Sequence, residues 1–436
     1  MNEMSERKVY GIAVGFRILL FCLILLTVGS YTITNFGDAP DYYGMAGYLI
    51  KHHSLTTLYY PLLESARPPG YSVFLLPFLS LNLPIWLASL VQIVFVSFIP
   101  IIAMRIAWLL GLNEKVRKYT GLTLALEPLG AFYSIIFLSD TFAALIFIIG
   151  VYLLLKFWQN RDIKLLAFSA LAFGLLNYIR PIGMFLYILI PTCLLVAGAM
   201  WDRLNLKKYL IYGLIFAGLF NLVLLPWRLR NMKEFGVFGF VSGIERQLYD
   251  ITAAGVRSSA ESMPYPVMQL QMRDEVRPLL REPRDMASFY NHGVLISPAL
   301  EIIKMYPLHY VKNYIRGLAT FFGSGNYQYP LFIYNIIDSH FAYLFISVFS
   351  RLLWTLIFGL SLLGAYKAWR QVPSARVAVL LYTFFILYSM ALVANMTVGV
   401  EARHRLFLHP FYFIFATYVY VIFLEWRKKS QTKKLS

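Results

Sequence analysis

Apolar stretches about as long as a bilayer is thick recur along this chain, and that recurrence limits its fold more than any other feature. A membrane-crossing helix needs about 20 mostly apolar residues. Ten stretches approach that length: 10–31, 84–110, 119–136, 141–157, 164–179, 182–201, 209–226, 341–366, 376–394 and 406–425. Composition agrees, at 59% hydrophobic and 14% charged, where soluble domains run about 45–50% and about 25%. Disordered, collagen-like and disulfide-stapled secreted chains are excluded. Cys22 and Cys193 both lie inside apolar runs, which leaves no disulfide framework and no cysteine-based metal site. The chain reads as an all-α polytopic membrane protein, a bundle of about ten transmembrane helices. Its first run ends near Val28-Gly29-Ser30, which loosely mimics a signal cleavage site. The run is too long for a signal peptide, so it is expected to be an uncleaved anchor.

Charge placement sets the expected topology. Lys and Arg number 39 against 22 Asp and Glu, a net +17. In a soluble chain such an excess would suggest nucleic acid. Here positive-inside loops and phosphate or anionic-lipid sites compete for it. Arg7 and Lys8 precede the first stretch; Lys115, Arg117 and Lys118 follow the second; Lys156, Arg161 and Lys164 follow the fourth. Arg203, Lys207 and Lys208 follow the sixth, Lys367, Arg370 and Arg376 the eighth, and Arg427, Lys428, Lys429, Lys433 and Lys434 the tenth. Every even-numbered exit is basic, which puts both termini in the cytoplasm of a cell whose inner membrane the chain crosses. The parity holds only if 69–82, a run of 14 residues containing Pro77, does not span. Two long outer segments follow, 32–83 and 227–340. The chain then divides into a module at 1–226, the large outer loop at 227–340, and C-terminal helices with a basic tail at 341–436. Residues 39–53 and 299–318 read as short interfacial helices. No repeat and no inverted halves are visible.

The outer connections hold the unusual residues. Asp38 and Asp41 follow the first stretch, and Arg67-Pro68-Pro69-Gly70-Tyr71 closes that loop. Ser139-Asp140, Arg180-Pro181, Pro226-Trp227-Arg228-Leu229-Arg230-Asn231 and Glu401-Ala402-Arg403-His404-Arg405 mark four later connections. Taken singly, each has an ordinary reading: Asp38, Asp41 or Asp140 as a helix cap, Pro-Pro-Gly as a turn, Arg180 or Arg228 reaching lipid headgroups. Glu127, beside Pro128 inside the third stretch, is an expensive intramembrane acid and by default functional. It also suits backbone groups freed by the proline. Acids and arginines recurring together suit an anionic substrate and a proton transfer better than separate caps. His52, His53, His404 and His409 show no metal-ligand spacing. Asn395-Met396-Thr397 matches a glycosylation acceptor only by accident of pattern.

In this order the motifs resemble the GT-C class of integral-membrane glycosyltransferases. They are most similar to the branch of dolichyl-phosphate-mannose protein mannosyltransferases and bacterial aminoarabinose transferases acting on lipid A. The likeness runs along almost the whole chain. It implies that Asp38 is the catalytic Asp of the first outer loop, followed by Tyr42 and Ala46. Ala39 stands where the family often has Glu, and Asp41 supplies a second charge. The resemblance further implies that Arg67-Pro68-Pro69 meets the donor phosphate. Asp140, Arg180-Pro181, residues 226–231 (Trp227, Arg228, Arg230, Asn231) and Glu401-x-Arg403 match later motifs, with His404 in place of Tyr.

The chemistry of such a donor explains the residue types. A hydroxyl acceptor needs a general base, for which Asp38 is the first candidate and Asp41 the next. A phosphate-monoester leaving group, with a second pKa of about 6, departs without a protonated acid and needs cations to hold its charge. Arg67, with Arg180, Arg228, Arg230 or Arg403, is expected to form that clamp. One base and a cationic clamp imply a single inverting displacement, with no cofactor and no requirement for a divalent metal. Tyr71, Trp227, Phe321 and Phe322 are candidates to line a groove for the lipid tail. The expected partners are a polyprenyl-phosphate-linked sugar, a glycan, lipid or protein acceptor, and membrane lipid, without nucleic acid. A surface-polysaccharide flippase or polymerase-type protein is the alternative. A transporter, however, concentrates ionisable groups at mid-membrane, where only Glu127 and Arg105 approach. A catalytically dead scaffold would predict no effect of Asp38→Asn.

Overall fold

The computed structural model describes residues 5–27, 29, 31–57, 61–324 and 339–435. Val28 and Ser30 of the cleavage-like tripeptide and residues 325–338 of the large outer loop lie outside them. Among the described residues every regular element is helical, apart from one bridge between Thr56 and Leu63. Among the described residues seven helices are long and apolar enough to cross a membrane, and three shorter apolar helices join them: Gly70–Ser80, Ile163–Ile179 and Leu186–Trp201. The protein is a multi-pass, all-helical membrane protein.

The N-terminal module runs α1 (Glu6–Thr27), α2 (Tyr31–Asn35), α3 (Ala39–His52), α4 (Gly70–Ser80), α5 (Trp86–Val96) and α6 (Ile99–Leu109). It continues through α7 (Glu114–Ala125), α8 (Pro128–Tyr133), α9 (Asp140–Asn160), α10 (Ile163–Ile179), α11 (Leu186–Trp201) and α12 (Leu206–Phe235). α3 occupies the expected interfacial segment. α4 has 11 residues with Pro77 inside, about 16 Å at 1.5 Å per residue, too short for a core of about 30 Å. The third stretch is not one helix. It breaks between α7 and α8, because Pro128 has no N–H to continue the ladder.

The connection after the seventh stretch also differs from expectation. α12 runs straight through Pro226 and ends at Phe235, where Gly236 takes the left-handed conformation (φ 72°) that closes helix C-termini. The motif at 226–231 is therefore helical. Beyond it lie α13 (Gly243–Arg246), α14 (Ala254–Ala260), α15 (Tyr265–Val276), α16 (Ile296–Met305) and α17 (Pro307–Gly323). This segment has its own apolar core around Tyr249, Met268, Met272 and Leu295. The interfacial helix expected at 299–318 is two helices, parted at Tyr306-Pro307. Both carry exposed apolar residues, among them Leu300, Leu308, Val311 and Ile315.

Three long helices complete the bundle: α18 (His340–Gln371), α19 (Arg376–Ala394) and α20 (His409–Leu435). A Cβ at Gly364 would collide with the Phe415 carbonyl, so α18 and α20 meet backbone to backbone, the close approach that small residues permit in membranes. At the end carrying the short basic connections, Arg105 pairs with Glu6 (2.8 Å) and Lys115 with Glu425 (3.0 Å). The opposite end holds the two outer segments.

Candidate active site

Asp38 occupies the N-cap position of α3, yet its side chain makes no cap bond. Pro40, in the first turn, has no N–H to offer it. The carboxylate turns instead to two guanidiniums: Oδ2 lies 3.1 Å from Arg403 Nη1, and Oδ1 lies 3.6 Å from Arg67 Nη2. Arg67 Nη2 is also 2.5 Å from Asp41 Oδ2. Arg403 Nη1 stands 3.8 Å from Asp140 Oδ2, and its Nε 2.8 Å from Glu401 Oε2. Arg180 Nη1 donates to Asp140 Oδ2 at 3.0 Å and to Ser139 Oγ at 3.4 Å, and Tyr42 OH meets Ser139 Oγ at 3.0 Å. Four carboxylates and three guanidiniums, drawn from four separate connections, thus form one network at one end of the bundle.

Local sequence explains the placement. The Glu64 carboxylate accepts the Ala66 and Arg67 N–H groups at 2.7 and 3.0 Å, fixing the turn that presents Arg67. Gly70 then passes so close to α10 that a Cβ would lie 2.5 Å from the Tyr178 carbonyl, which brings the Arg67 turn up to the helix ending at Arg180. Gly37 (φ 59°) supplies the left-handed turn before Asp38. Tyr71 OH donates to Gln92 Oε1 at 2.6 Å, and Gln92 Nε2 donates to the Ser134 and Ile136 carbonyls. That brace holds the connection leading to Ser139-Asp140. Glu401 and His404 form a reciprocal capping box, so His404 orients Glu401.

The charges reshape the titration of the outer acids. Burial pushes the Asp38 carboxyl up, but Arg403, Arg67 and Arg180 outweigh it and hold it at about 2. Asp41 moves the other way: burial raises it, Arg67 offsets part of that, and Asp38 adds to it. Glu401 is likewise raised by burial, against the pull of Arg403. A cavity of about 1100 Å3 opens beside the network, with Asp41 and Arg67 on its wall.

No protein-family model matches the chain, and no curated protein matches it. Among solved structures the chain is similar to the crystal structure of ArnT from Cupriavidus metallidurans in the apo state. The two share 16% identity over 88% of this chain and 77% of that one, with a TM-score of 0.34.

Other residues singled out in the sequence stand apart from the network. Glu127 is the N-cap of α8 and accepts the Leu129 and Gly130 N–H groups at 2.7 and 2.6 Å, with His409 Nδ1 3.5 Å away. The proline explains its presence, since the helix it starts needs a cap. Trp227 Nε1 donates to the Phe240 carbonyl at 3.0 Å, and Arg230 lies 4.7 Å over the Trp227 ring. Arg230 also donates to the Glu64 carbonyl and to Asn231 Oδ1, both at 2.8 Å, and Asn231 holds the Gly239 carbonyl. Arg228 is bonded to Asn221 Oδ1 at 2.8 Å. The helical 226–231 motif thus fastens the large outer segment to the first loop. Phe321 and Phe322 are buried, Phe322 stacked on Phe358.

A second buried group holds Arg405 and His409, which sequence reading named without a role, and Arg17, which it passed over. Arg405 donates to the Phe321 carbonyl at 2.8 Å and lies 4.4 Å over Trp354, which stacks on His409. Arg17 donates to the Ala13 and Ala125 carbonyls. Arg17 sits inside the first apolar stretch, and that position was its available signal.

Proposed function

We propose that the protein is a glycosyltransferase that moves a sugar from a polyprenyl-phosphate donor to an acceptor hydroxyl. It works at the outer face of the cytoplasmic membrane. The observation that carries this reading is Asp38 held between Arg67 and Arg403, at the end of the bundle away from the short basic connections. A carboxylate beside convergent guanidiniums is what a displacement at an anomeric carbon with a phosphate leaving group requires.

The residues divide the labour. Arg67, Arg180 and Arg403 take the donor phosphate, Arg403 being the most enclosed of the three. As they turn to the phosphate, Asp38 loses the charges that depress its pKa and becomes a stronger base. It removes the acceptor proton while the new C–O bond forms. The bond from the anomeric carbon to phosphate breaks, and its electron pair leaves on the phosphate. The single displacement inverts the anomeric centre. Guanidiniums carry the developing charge, so no resident metal or cofactor is invoked.

The test follows polyprenyl phosphate by mass spectrometry, using purified protein, a panel of polyprenyl-phosphate-linked sugars, and Asp38→Asn beside the wild type. Release by wild type alone supports both the donor class and the base. Release by neither, with lipid-linked sugar still crossing liposome membranes, moves the protein to transport.

A further inference from the structure

The cavity beside the network lies away from the membrane-crossing helices. It is lined by the first outer loop and the large outer segment, and none of its lining residues belongs to a membrane-crossing helix. Its two walls are sewn together. Ser65 Oγ meets Ser242 Oγ at 2.9 Å and accepts the Phe289 N–H at 3.1 Å, while Ser242 Oγ donates to the Ala287 carbonyl. Arg230 adds its bond to the Glu64 carbonyl. The cleft is preformed rather than a gap between independent loops.

Its polar lining is mixed. Arg67 pairs with Asp41 and Arg284 with Glu282 at 2.8 Å, while Arg246 lies 3.6 Å from Asp250, a residue outside the lining that Arg273 holds. The Asp285 carboxylate accepts the Ala287 N–H and adds a further acid. No surplus of cations remains to select a phosphorylated acceptor. Paired carboxylates keep free lone pairs and paired guanidiniums keep free N–H groups. A sugar hydroxyl both donates and accepts, so a wall alternating these groups matches a run of hydroxyls. At about 1100 Å3 the space exceeds the upper end of ordinary small-molecule sites, about 1,000 Å3, and admits more than one ring. A peptide bound by strand addition needs an exposed sheet edge, whereas the described residues hold one bridged pair, Thr56 and Leu63.

We propose that this cleft is the acceptor site and takes the uncharged end of an oligosaccharide. Arg284, Glu282 and Asp285 bind its hydroxyls, Tyr290 lies along its ring faces, and Arg67 and Asp41 guide the terminal hydroxyl to Asp38. The inference rests on the transferase reading. It adds the acceptor class and the route by which the acceptor arrives, from the aqueous side.

The experiment uses full-length protein in lipid nanodiscs, with a donor from which polyprenyl phosphate is released. The acceptors are neutral glucan, mannan and galactan hexasaccharides, Ser/Thr peptides, and a lipid-linked phosphorylated glucosamine disaccharide. The expected product is an extended hexasaccharide. Arg284→Ala and Tyr290→Ala each raise its KM about tenfold with a smaller change in kcat, and Arg277→Ala, outside the cleft, keeps the wild-type KM. Transfer only to peptide or to the phosphorylated lipid overturns the inference, as does an unchanged hexasaccharide KM in both cleft variants. Polyprenyl phosphate release without any extended hexasaccharide sinks this inference alone. No release from any donor sinks the transferase reading, and the acceptor assignment falls with it.

Discussion

Arg403 Nη1 lies 3.1 Å from Asp38 Oδ2 although 365 positions separate the two residues in the chain. The pair joins the first outer loop to the connection between α19 and α20. Its arginine is buried, with 8% of the side chain exposed, and also faces Asp140 and Glu401. One guanidinium therefore serves three carboxylates.

Arg403→Ala leaves those carboxylates without their shared cation. Removing one partner of a buried ionic group costs about 3–5 kcal/mol. The expected result is a marked fall in thermal midpoint in detergent, with loss of polyprenyl phosphate release. Arg403→Lys restores charge but not the planar fork. It should recover much of the stability while release stays at least about tenfold down.

Asp38→Asn removes the proposed base while keeping the side-chain shape. General-base contributions run about 10²–10⁴-fold, so release is expected to fall by at least about a hundredfold. Asp41→Asn should cost less, about tenfold, because Asp41 acts through Arg67. Equal losses in the two variants would make the acids interchangeable and remove the distinction drawn between them.

The pH dependence of stability has a defined sign. Asp38 is held at about 2 in the folded protein, below the ordinary 3.8. A depressed carboxyl stabilises the fold above its unfolded value, and that contribution disappears as pH falls through the folded value. The thermal midpoint of wild type should exceed that of Asp38→Asn by a constant margin above about pH 5. The margin should close between about pH 4 and pH 2. With 34% of the side chain exposed, solvent screening keeps it modest.

Glu127→Ala strips the cap from α8 and the partner from His409. Loss of an N-cap costs about 0.5–2 kcal/mol, and the freed buried donors add to it. A lowered thermal midpoint is expected, with release per folded molecule within about threefold of wild type. A hundredfold loss of release at unchanged stability would return Glu127 to the chemistry.

Trp227→Phe deletes the bond to the Phe240 carbonyl and weakens the platform under Arg230. Hydrogen exchange in residues 236–243 should accelerate, with a stability loss of about 1 kcal/mol.

Periodicity and run length made the spans legible, because hydrocarbon thickness imposes them residue by residue. The break at Glu127-Pro128 was visible as an anomaly, yet a carboxylate that caps looks the same in sequence as one that reacts. The network members Asp38, Asp41, Arg67, Asp140, Arg180 and Arg403 stood out as charges recurring at outer connections. The same signal gathered Arg228 and Arg230, which the structure spends on Asn221, Glu64 and Asn231. Helix continuation through Pro226 turned that motif, and proline usually argues against continuation. Asp285 and Tyr290 gave no signal in the sequence, since they come to one cavity with Arg67 only when two distant segments are sewn at Ser65 and Ser242.

The broken third stretch has a consequence for how the chain is made. α7 and α8 are too short to rest in a bilayer alone, and their partners are supplied by α20. Thr120 bonds Thr417 at 2.7 Å across 297 positions, Lys115 holds Glu425, and Glu127 faces His409. Because α7 and α8 precede α20 in the chain, these contacts form late in synthesis. When α20 packs, the connection leading into it carries Arg403 onto Asp38. The network around Asp38 is therefore complete only after α20 has joined α7 and α8.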